Sequence, residues 1–182
     1  MPSETALEVI RRQLFGVDEK MATYGIFDGA AMPGLPQALE EALEEENIES
    51  VCLLKGDLEP DVAQAAPYLV RMAADSAFTK WVLKEGWGQH WGVFVRSPAD
   101  LRRMRMHFRA LLNVYGPDME PLFFRYYDPR VLRTYLPTCT SDELNSVFGP
   151  AEAFVMEHED AKVLLRCALE NDRLNYEEFL LK

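Results

Sequence analysis

The segment at residues 125–137, with the sequence RYYDPRVLRTYLP, carries the residue types in this chain that are best suited to recognition or chemistry. It holds three arginines and three tyrosines in thirteen residues, with Asp128 as its one acid. The forked guanidinium group of arginine matches carboxylate and phosphate oxygens, and Tyr and Arg concentrate in protein interfaces. The segment therefore indicates either a surface for a protein partner or a site for an anionic metabolite.

The charge of the chain makes this segment exceptional. The 182 residues have a net charge of -11, yet residues 96–133 contain eight arginines and four acids. An acidic surface repels phosphate backbones and anionic membranes, so we expect neither nucleic acid nor a membrane as a partner. We expect Arg96, Arg125, Arg130 and Arg133 to form a basic band that binds a protein.

Other residues give no comparable signal for catalysis or for a cofactor. His90, His107 and His158 are far apart, and none has the spacing of a metal ligand with another His or Cys. The glycines of GWGQHWG, at residues 86–92, alternate with bulky residues that would obstruct close approach of a phosphate to the backbone. We expect no enzyme activity, no metal and no cofactor. The alternative is a small cytosolic enzyme or binding protein that uses Asp128 or His90 beside the arginines to bind an anionic metabolite.

Length and composition predict a single compact domain. Hydrophobic residues make up 48% of the chain and charged residues 27%, which is typical of globular proteins. The apolar runs are too short to span a bilayer, and the first residues do not resemble a secretion signal. Three widely spaced cysteines, Cys52, Cys139 and Cys167, favour a reducing compartment. We therefore expect a cytoplasmic protein.

Predicted strands alternate with predicted helices, which favours an α/β fold: a mixed β-sheet with flanking helices. Strands are predicted at residues 22–28, 50–55, 90–96 and 122–127, a hairpin at residues 153–158 and 163–169, and a final helix at residues 174–181.

Capping residues predict three helix starts in the second half of the chain, and residues 5–8 resemble a capping box for an N-terminal helix. Asp128 is placed to cap a helix that has Pro129 at its first position. Thr140 and Glu143 have the spacing of a capping box, and Ser97 precedes another predicted helix.

Short motifs also follow one another in a characteristic order. They are PYLV at residues 67–70, Phe78 with Trp81, EGWGQHWG at 85–92, LRR at 101–103, FRYYDPRVLRTYLP at 124–137 and FGP at 148–150. In this order they resemble the bacterial type VI secretion adaptor domain, the effector chaperones called Tap or TEC. The resemblance covers residues 24–158, most of the chain.

The resemblance implies a non-enzymatic cytosolic adaptor that binds a cognate effector protein and loads it onto a VgrG-type spike protein. It also implies an adaptor-type α/β domain at residues 1–158, followed by a variable C-terminal extension at residues 159–182 that packs on the domain. The motif residues expected to be a structural signature are Trp87, Trp91, Tyr126, Tyr127, Asp128 and Pro129. The expected partner-binding residues remain Arg96, Arg125, Arg130 and Arg133.

Overall fold

A seven-stranded sheet organises the chain in the computed structural model, which describes residues 2–16, 18, 20–116 and 118–182. The strands are Ala22–Asp28 (β1), Ser50–Cys52 (β2), Pro67–Met72 (β3), Gly92–Ser97 (β4), Asn113–Tyr115 (β5), Pro121–Phe123 (β6), Ala153–Glu157 (β7), Val163–Glu170 (β8) and Arg173–Leu180 (β9). The order across the sheet is β2-β3-β1-β4-β7-β8-β9, whereas β5 and β6 pair with each other in a separate two-stranded ribbon.

Helices cover both faces of the sheet. They are Glu4–Phe15 (α1), Leu35–Glu46 (α2), Pro60–Ala65 (α3), Ala77–Glu85 (α4), Leu101–Leu111 (α5), Pro129–Tyr135 (α6) and Ser141–Phe148 (α7), with a 3-10 turn at Leu136–Thr138. Buried side chains of α1, α2 and α4 form a core on one face, and those of α5, α6 and α7 form a core on the other.

The central strands explain why both faces must be covered. In β1, Ile26 belongs to the core under α5 to α7, and its neighbour Phe27 belongs to the core under α1, α2 and α4. Strand β4 repeats this alternation with Val95 and Phe94. Because successive side chains of a strand point to opposite faces, a strand that is apolar throughout needs a helical layer on each side.

The predicted α/β class with flanking helices is confirmed, but the strand directions differ from the predicted mixed sheet. Every pairing between neighbouring strands of the described chain is antiparallel. Alternation of strands and helices does not by itself set direction, because direction depends on which strand each new strand joins. Here β3 joins β1, and β4 joins β1 from its other side, both antiparallel.

The C-terminal residues continue the sheet. The predicted hairpin of β7 and β8 is confirmed, but the predicted helix at residues 174–181 is wrong, because Arg173–Leu180 is strand β9 and pairs with β8. Asn171 and Asp172 form the two-residue connection, with φ angles of 51° and 60°. Two consecutive positive φ angles are typical of the tight turns that join adjacent antiparallel strands.

Candidate interaction site at one end of the sheet

The two longest sequence motifs meet at one end of the sheet, where β1 and β7 finish and β4 begins. Asp28 is the last residue of β1, and its amide N–H donates to the carbonyl of Trp91 at 2.8 Å. Glu157 is the last residue of β7. Helix α6 begins beside these strand ends. Arg125, which precedes the helix, binds Asp28, and Arg133 of the helix contacts the backbone carbonyl of Glu157. This end of the sheet is the candidate functional site.

Asp128 caps α6 as predicted. Its Oδ1 accepts hydrogen bonds from the amide of Arg130 at 2.9 Å and from Nε of Arg130 at 3.0 Å, and its Oδ2 accepts from Nη2 at 2.8 Å. Pro129 occupies the first helical turn, where its missing N–H costs no hydrogen bond. The cap and the ion pair therefore share one carboxylate, on a side chain that is 5% exposed.

Opposing effects act on the pKa of Asp128. Burial alone would raise it, but hydrogen bonds from the side chain and amide of Arg130, with the charges of Arg130 and Arg125, outweigh burial and hold the pKa below its usual value. A general acid or base works best with a pKa near the working pH. Asp128 is therefore poorly suited to proton transfer at neutral pH, which disfavours the catalytic role considered for it.

Arg125 ties the α6 segment to the sheet. Its Nη2 donates to Oδ2 of Asp28 at 2.7 Å, and Oδ1 of Asp28 accepts from the amide of Ala30 at 3.0 Å. The Arg125 guanidinium also lies 6.0 Å from the ring centroid of Tyr127. Burial, together with the charge of Asp28, raises the pKa of Tyr127 to about 12 despite the opposing effect of Arg125. The tyrosine is thus a neutral packing group at physiological pH.

Glu157 links the loop that follows α4 to α6. Its carboxylate accepts a hydrogen bond from the amide of Gly88 and contacts Nδ1 of His90, while its backbone carbonyl lies 3.5 Å from Nη1 of Arg133. The Glu157 side chain is 5% exposed. A buried carboxylate needs such partners because desolvation of an unpaired charge is costly. His90, which was considered as an alternative catalytic group, is therefore bound to an internal acid.

The aromatic signature residues lie in the two cores or against them. Tyr126 is fully buried, and its hydroxyl donates to the carbonyl of Phe108 at 2.7 Å. Trp87 is 8% exposed and donates from Nε1 to the carbonyl of Ala161 at 2.8 Å. Trp91 is partly buried and packs against Trp81, with ring centroids 5.4 Å apart. Tyr127, Asp128 and Pro129 are also buried. All six signature residues therefore contribute to packing or to local hydrogen bonding.

Arg96 does not join the other three arginines of the predicted band. In the register of β1 and β4, Arg96 pairs with Thr23 at one end, whereas Gly92 pairs with Phe27 at the end that adjoins Asp28. The alternation along β4 also places Arg96 on the face covered by α1, α2 and α4. It lines a cleft of about 450 Å³ with Arg12 and Arg166 instead. The predicted band is therefore not one continuous surface, although whether each arginine binds a partner stays a prediction.

Sequence reasoning missed the two acids that organise the site. Asp28 and Glu157 each end an apolar strand, ATYGIFD in β1 and AFVME in β7. An acid at the end of an otherwise apolar strand was the available signal. The partners of these carboxylates, Arg125 for Asp28 and His90 for Glu157, are distant in sequence, so the pairs could not be assigned without the fold.

The described residues contain no group of three or more His, Cys, Asp or Glu side chains arranged to hold a metal ion. In the same part of the chain, no helix has both the length and the apolar character needed to cross a bilayer.

A family model described as "Domain of unknown function (DUF4123)" matches residues 23–146. The matched region contains all of β1 but its first residue, strands β2 to β6 and helix α6, and therefore the Asp28–Arg125 and Asp128–Arg130 pairs. No curated protein and no solved structure gives a significant match to the chain.

Proposed function

This chain belongs to the DUF4123 family of domains of unknown function, and we propose that it is a non-enzymatic cytoplasmic adaptor. In this proposal it binds a type VI secretion effector and loads it onto a VgrG-type spike protein.

The single observation that carries the proposal is the ordered series of motifs along residues 67–150. The family model covers most of the same stretch, residues 23–146. The series includes both EGWGQHWG and FRYYDPRVLRTYLP. Each motif fixes the order of several Trp, Gly, Tyr or Arg residues, so the two motifs together are specific. Their resemblance to the effector chaperones is what connects this family member to type VI secretion.

The site geometry supports an adaptor in preference to the metabolite-binding alternative. Arg125 and Arg130 already bind the buried acids Asp28 and Asp128 at 2.7 and 2.8 Å. A small anion would have to compete with these acids for the same guanidinium groups. The two arginine side chains are nevertheless 47% and 54% exposed, so their outer N–H groups can donate to a protein surface while the internal pairs persist.

Co-expression tests the adaptor function. The chain should copurify with the effector and with the VgrG-type spike encoded near its own gene. If the wild-type chain associates with neither protein, the proposal is wrong. A thermal-shift screen with phosphate and carboxylate metabolites tests the metabolite-binding alternative, since a tightly bound ligand raises the melting temperature by mass action. We expect no such rise.

Lysine substitutions test the arginine contacts while they keep a positive charge beside the buried acids. Arg125→Lys and Arg130→Lys keep a cation near Asp28 and Asp128 but remove the forked donor geometry. We expect weaker binding of one partner with the folded circular-dichroism spectrum retained. Arg71→Lys is the matched control, because Arg71 belongs to an exposed pair with Glu49 at 3.4 Å. Equal binding by all three variants would show that Arg125 and Arg130 are not part of the interface.

A further inference from the structure

The ribbon of β5 and β6 exposes aromatic side chains. Its pairing register is Asn113 with Phe123 and Tyr115 with Pro121. Since side chains alternate along a strand, these four residues share one side of the ribbon. Tyr115 is 69% exposed and Phe123 is 51% exposed. All four residues on this side of the ribbon are exposed.

This exposure is concentrated rather than scattered. Nine large apolar residues are exposed in the described chain, and four of them lie in the eleven residues of the ribbon: Tyr115, Met119, Leu122 and Phe123. A two-stranded ribbon is only marginally stable by itself, and clustered apolar exposure typically marks a contact surface. The ribbon therefore has the properties of a segment that is stabilised by a partner.

The helix before the ribbon adds positive charge. Helix α5 is separated from β5 by Leu112 alone, and it contacts that strand. With 3.6 residues per turn, Met106 lies opposite the buried Met104 and Phe108, and it is 66% exposed. Three exposed arginines share the outer part of the helix: Arg102, Arg103 and Arg105. None of the three forms an ion pair with a described residue.

Arg109 shows the contrast within the same helix. Its guanidinium donates to the backbone carbonyls of Cys52, Leu53 and Leu54 at 2.8–3.0 Å, so it holds the chain that leaves β2. The side chains of Arg102, Arg103 and Arg105 form no hydrogen bond or ion pair with a described residue. They place a positive patch on a protein whose net charge is -11.

We propose that this surface binds an acidic polypeptide segment that carries apolar anchor residues, a partner of complementary charge. We name it the α5–ribbon surface, and its members are Arg102, Arg103, Arg105, Met106, Tyr115 and Phe123. The inference rests on the proposed function, because the segment is supplied by the effector or by the spike. Aromatic anchors give affinity, and the arginines select and steer an acidic partner.

Charge argues against two other occupants. A second copy in a twofold dimer would bring the same patch to both sides of the interface and place arginine against arginine. Nucleic acid would contact the three arginines, but the net charge of -11 and the ribbon acids Asp118 and Glu120 oppose a polyanion. An acidic polypeptide segment has a lower charge density than nucleic acid, and its apolar side chains can pack on Tyr115 and Phe123 while its acids contact the arginines.

Two double variants test the surface in the complex with the effector and the spike. Tyr115→Ser with Phe123→Ser removes the aromatic anchors, and Arg102→Glu with Arg105→Glu reverses the patch. Each should weaken the binding of one partner by about tenfold or more, the loss typical of interface anchor residues, and leave the other partner unaffected. The arginine variant should also show a shallower dependence of the association rate on salt, because the steering charge is lost.

The control variants change exposed apolar residues or exposed charges elsewhere in the described chain. Leu43→Ser with Val62→Ser removes two apolar side chains that are 51% and 42% exposed. Lys80→Glu with Arg173→Glu makes the same change in net charge at exposed positions on α4 and β9. Both controls should bind normally. Circular dichroism and urea unfolding identify any variant that fails to fold, and Tyr115→Leu with Phe123→Leu then replaces the serine variant, with a smaller loss expected.

The possible outcomes are distinct. If the wild-type chain binds neither partner, the adaptor function is wrong, and the assignment of this surface fails with it. If the wild-type chain binds both and the surface variants bind as tightly as the controls, only the surface assignment is overturned. Dimerisation of the free chain that Tyr115→Ser with Phe123→Ser abolishes would assign the surface to a second copy. Binding of single-stranded DNA that Arg102→Glu with Arg105→Glu abolishes would assign it to nucleic acid. Either result overturns the proposal.

Discussion

Asp28 and Arg125 form a 2.7 Å ion pair although ninety-seven residues separate them in the chain. The pair is asymmetric, because the Asp28 side chain is 3% exposed and that of Arg125 is 47% exposed. The buried carboxylate depends on its partner for solvation, whereas the guanidinium remains in contact with water. This asymmetry determines which of the two substitutions should be the more damaging.

Arg125→Met should destabilise the domain more than Asp28→Asn. The first variant keeps the packing of the side-chain stem but leaves a buried carboxylate without its cation, at a cost of about 2 kcal/mol. The second leaves Arg125 solvated and retains an oxygen that can accept from the amide of Ala30, so it should cost about 1 kcal/mol or less. Urea unfolding at pH 7 measures both free energies.

The exposed pair of Arg71 and Glu49 is the control for this comparison, since both side chains are more than half exposed. Arg71→Met should change the free energy of unfolding by no more than about 0.5 kcal/mol. A larger loss from Asp28→Asn than from Arg125→Met would contradict the asymmetric role of the pair.

Asp128→Asn should remove a pH-dependent part of the stability. The folded-state pKa of Asp128 lies below its ordinary value, so the ionised carboxylate stabilises the fold above about pH 4. This contribution is lost as the pH falls through the folded-state pKa. The difference in unfolding free energy between wild type and variant should therefore be largest near pH 7 and shrink toward pH 3.

The pH series isolates the ion pair from the cap, because asparagine is also a good N-cap residue. Asp57→Asn is the control, since Asp57 is exposed and makes no hydrogen bond or ion pair with a described residue. A difference between wild type and Asp128→Asn that stays constant from pH 7 to pH 3 would exclude the proposed linkage.

His107 should contribute stability that is lost on mild acidification. Burial lowers the pKa of His107 below 6.5, although its contact with the carbonyl of Val147 at 2.9 Å acts in the opposite direction. The unfolded chain therefore takes up a proton before the folded chain does, and stability falls as the pH drops below about 6.5. His107→Gln should flatten this slope between pH 7.5 and pH 5.5 in urea unfolding.

An NMR titration of the His107 ring protons provides an independent check of this linkage. The midpoint should lie below 6.5 in the folded protein. A midpoint at or above this value would rule out the proposed contribution to stability.

Gly149→Ala should cost more than Gly34→Ala. Both glycines have positive φ angles, 50° and 81°. Gly34 has the αL conformation, in which alanine costs about 1–2 kcal/mol, whereas the ψ angle of -113° at Gly149 lies outside the αL region and is less favourable still for alanine. An added Cβ at Gly149 would also lie only 2.3 Å from Cε1 of His107, whereas nothing lies within 4 Å of one at Gly34. The difference in unfolding free energy between the two variants measures the contact with His107 together with the less favourable backbone conformation at Gly149, and equal losses would contradict the prediction.

Local signals in the sequence predicted some helix starts correctly. Asp128 caps α6, and Thr140 and Glu143 form the predicted capping box of α7, because capping involves residues two or three positions apart. The predicted cap at Ser97 is wrong, since Asp100 caps α5. The Ser97 hydroxyl instead donates to the carbonyl of Pro150 at 2.6 Å, fifty-three residues away. The hydroxyl of Ser97 thus bonds to a residue that only the folded chain brings near it, and a prediction from neighbouring residues could not include this partner.

The C-terminal strand shows the same limit for a whole element. The apolar residues Leu174 and Leu181, seven positions apart, are compatible with one face of a short helix. Strand β8 offers an open edge in the structure, and eight residues of β9 pair along it. An edge with unpaired N–H and C=O groups favours an added strand, and the Asn171–Asp172 turn brings β9 to it.

By itself, the sequence determined the α/β class, the capped starts of α6 and α7, and the identity of the motif residues, because these depend on periodicity and on neighbours along the chain. Tertiary structure alone decided the antiparallel directions, the separation of Arg96 from Arg125, and the pairing of Arg125 and Arg133 with residues of β1 and β7. These features depend on which strands come together in space. A cation's partners are the acids that folding places within a few ångströms of it, and spacing along the chain does not specify that distance.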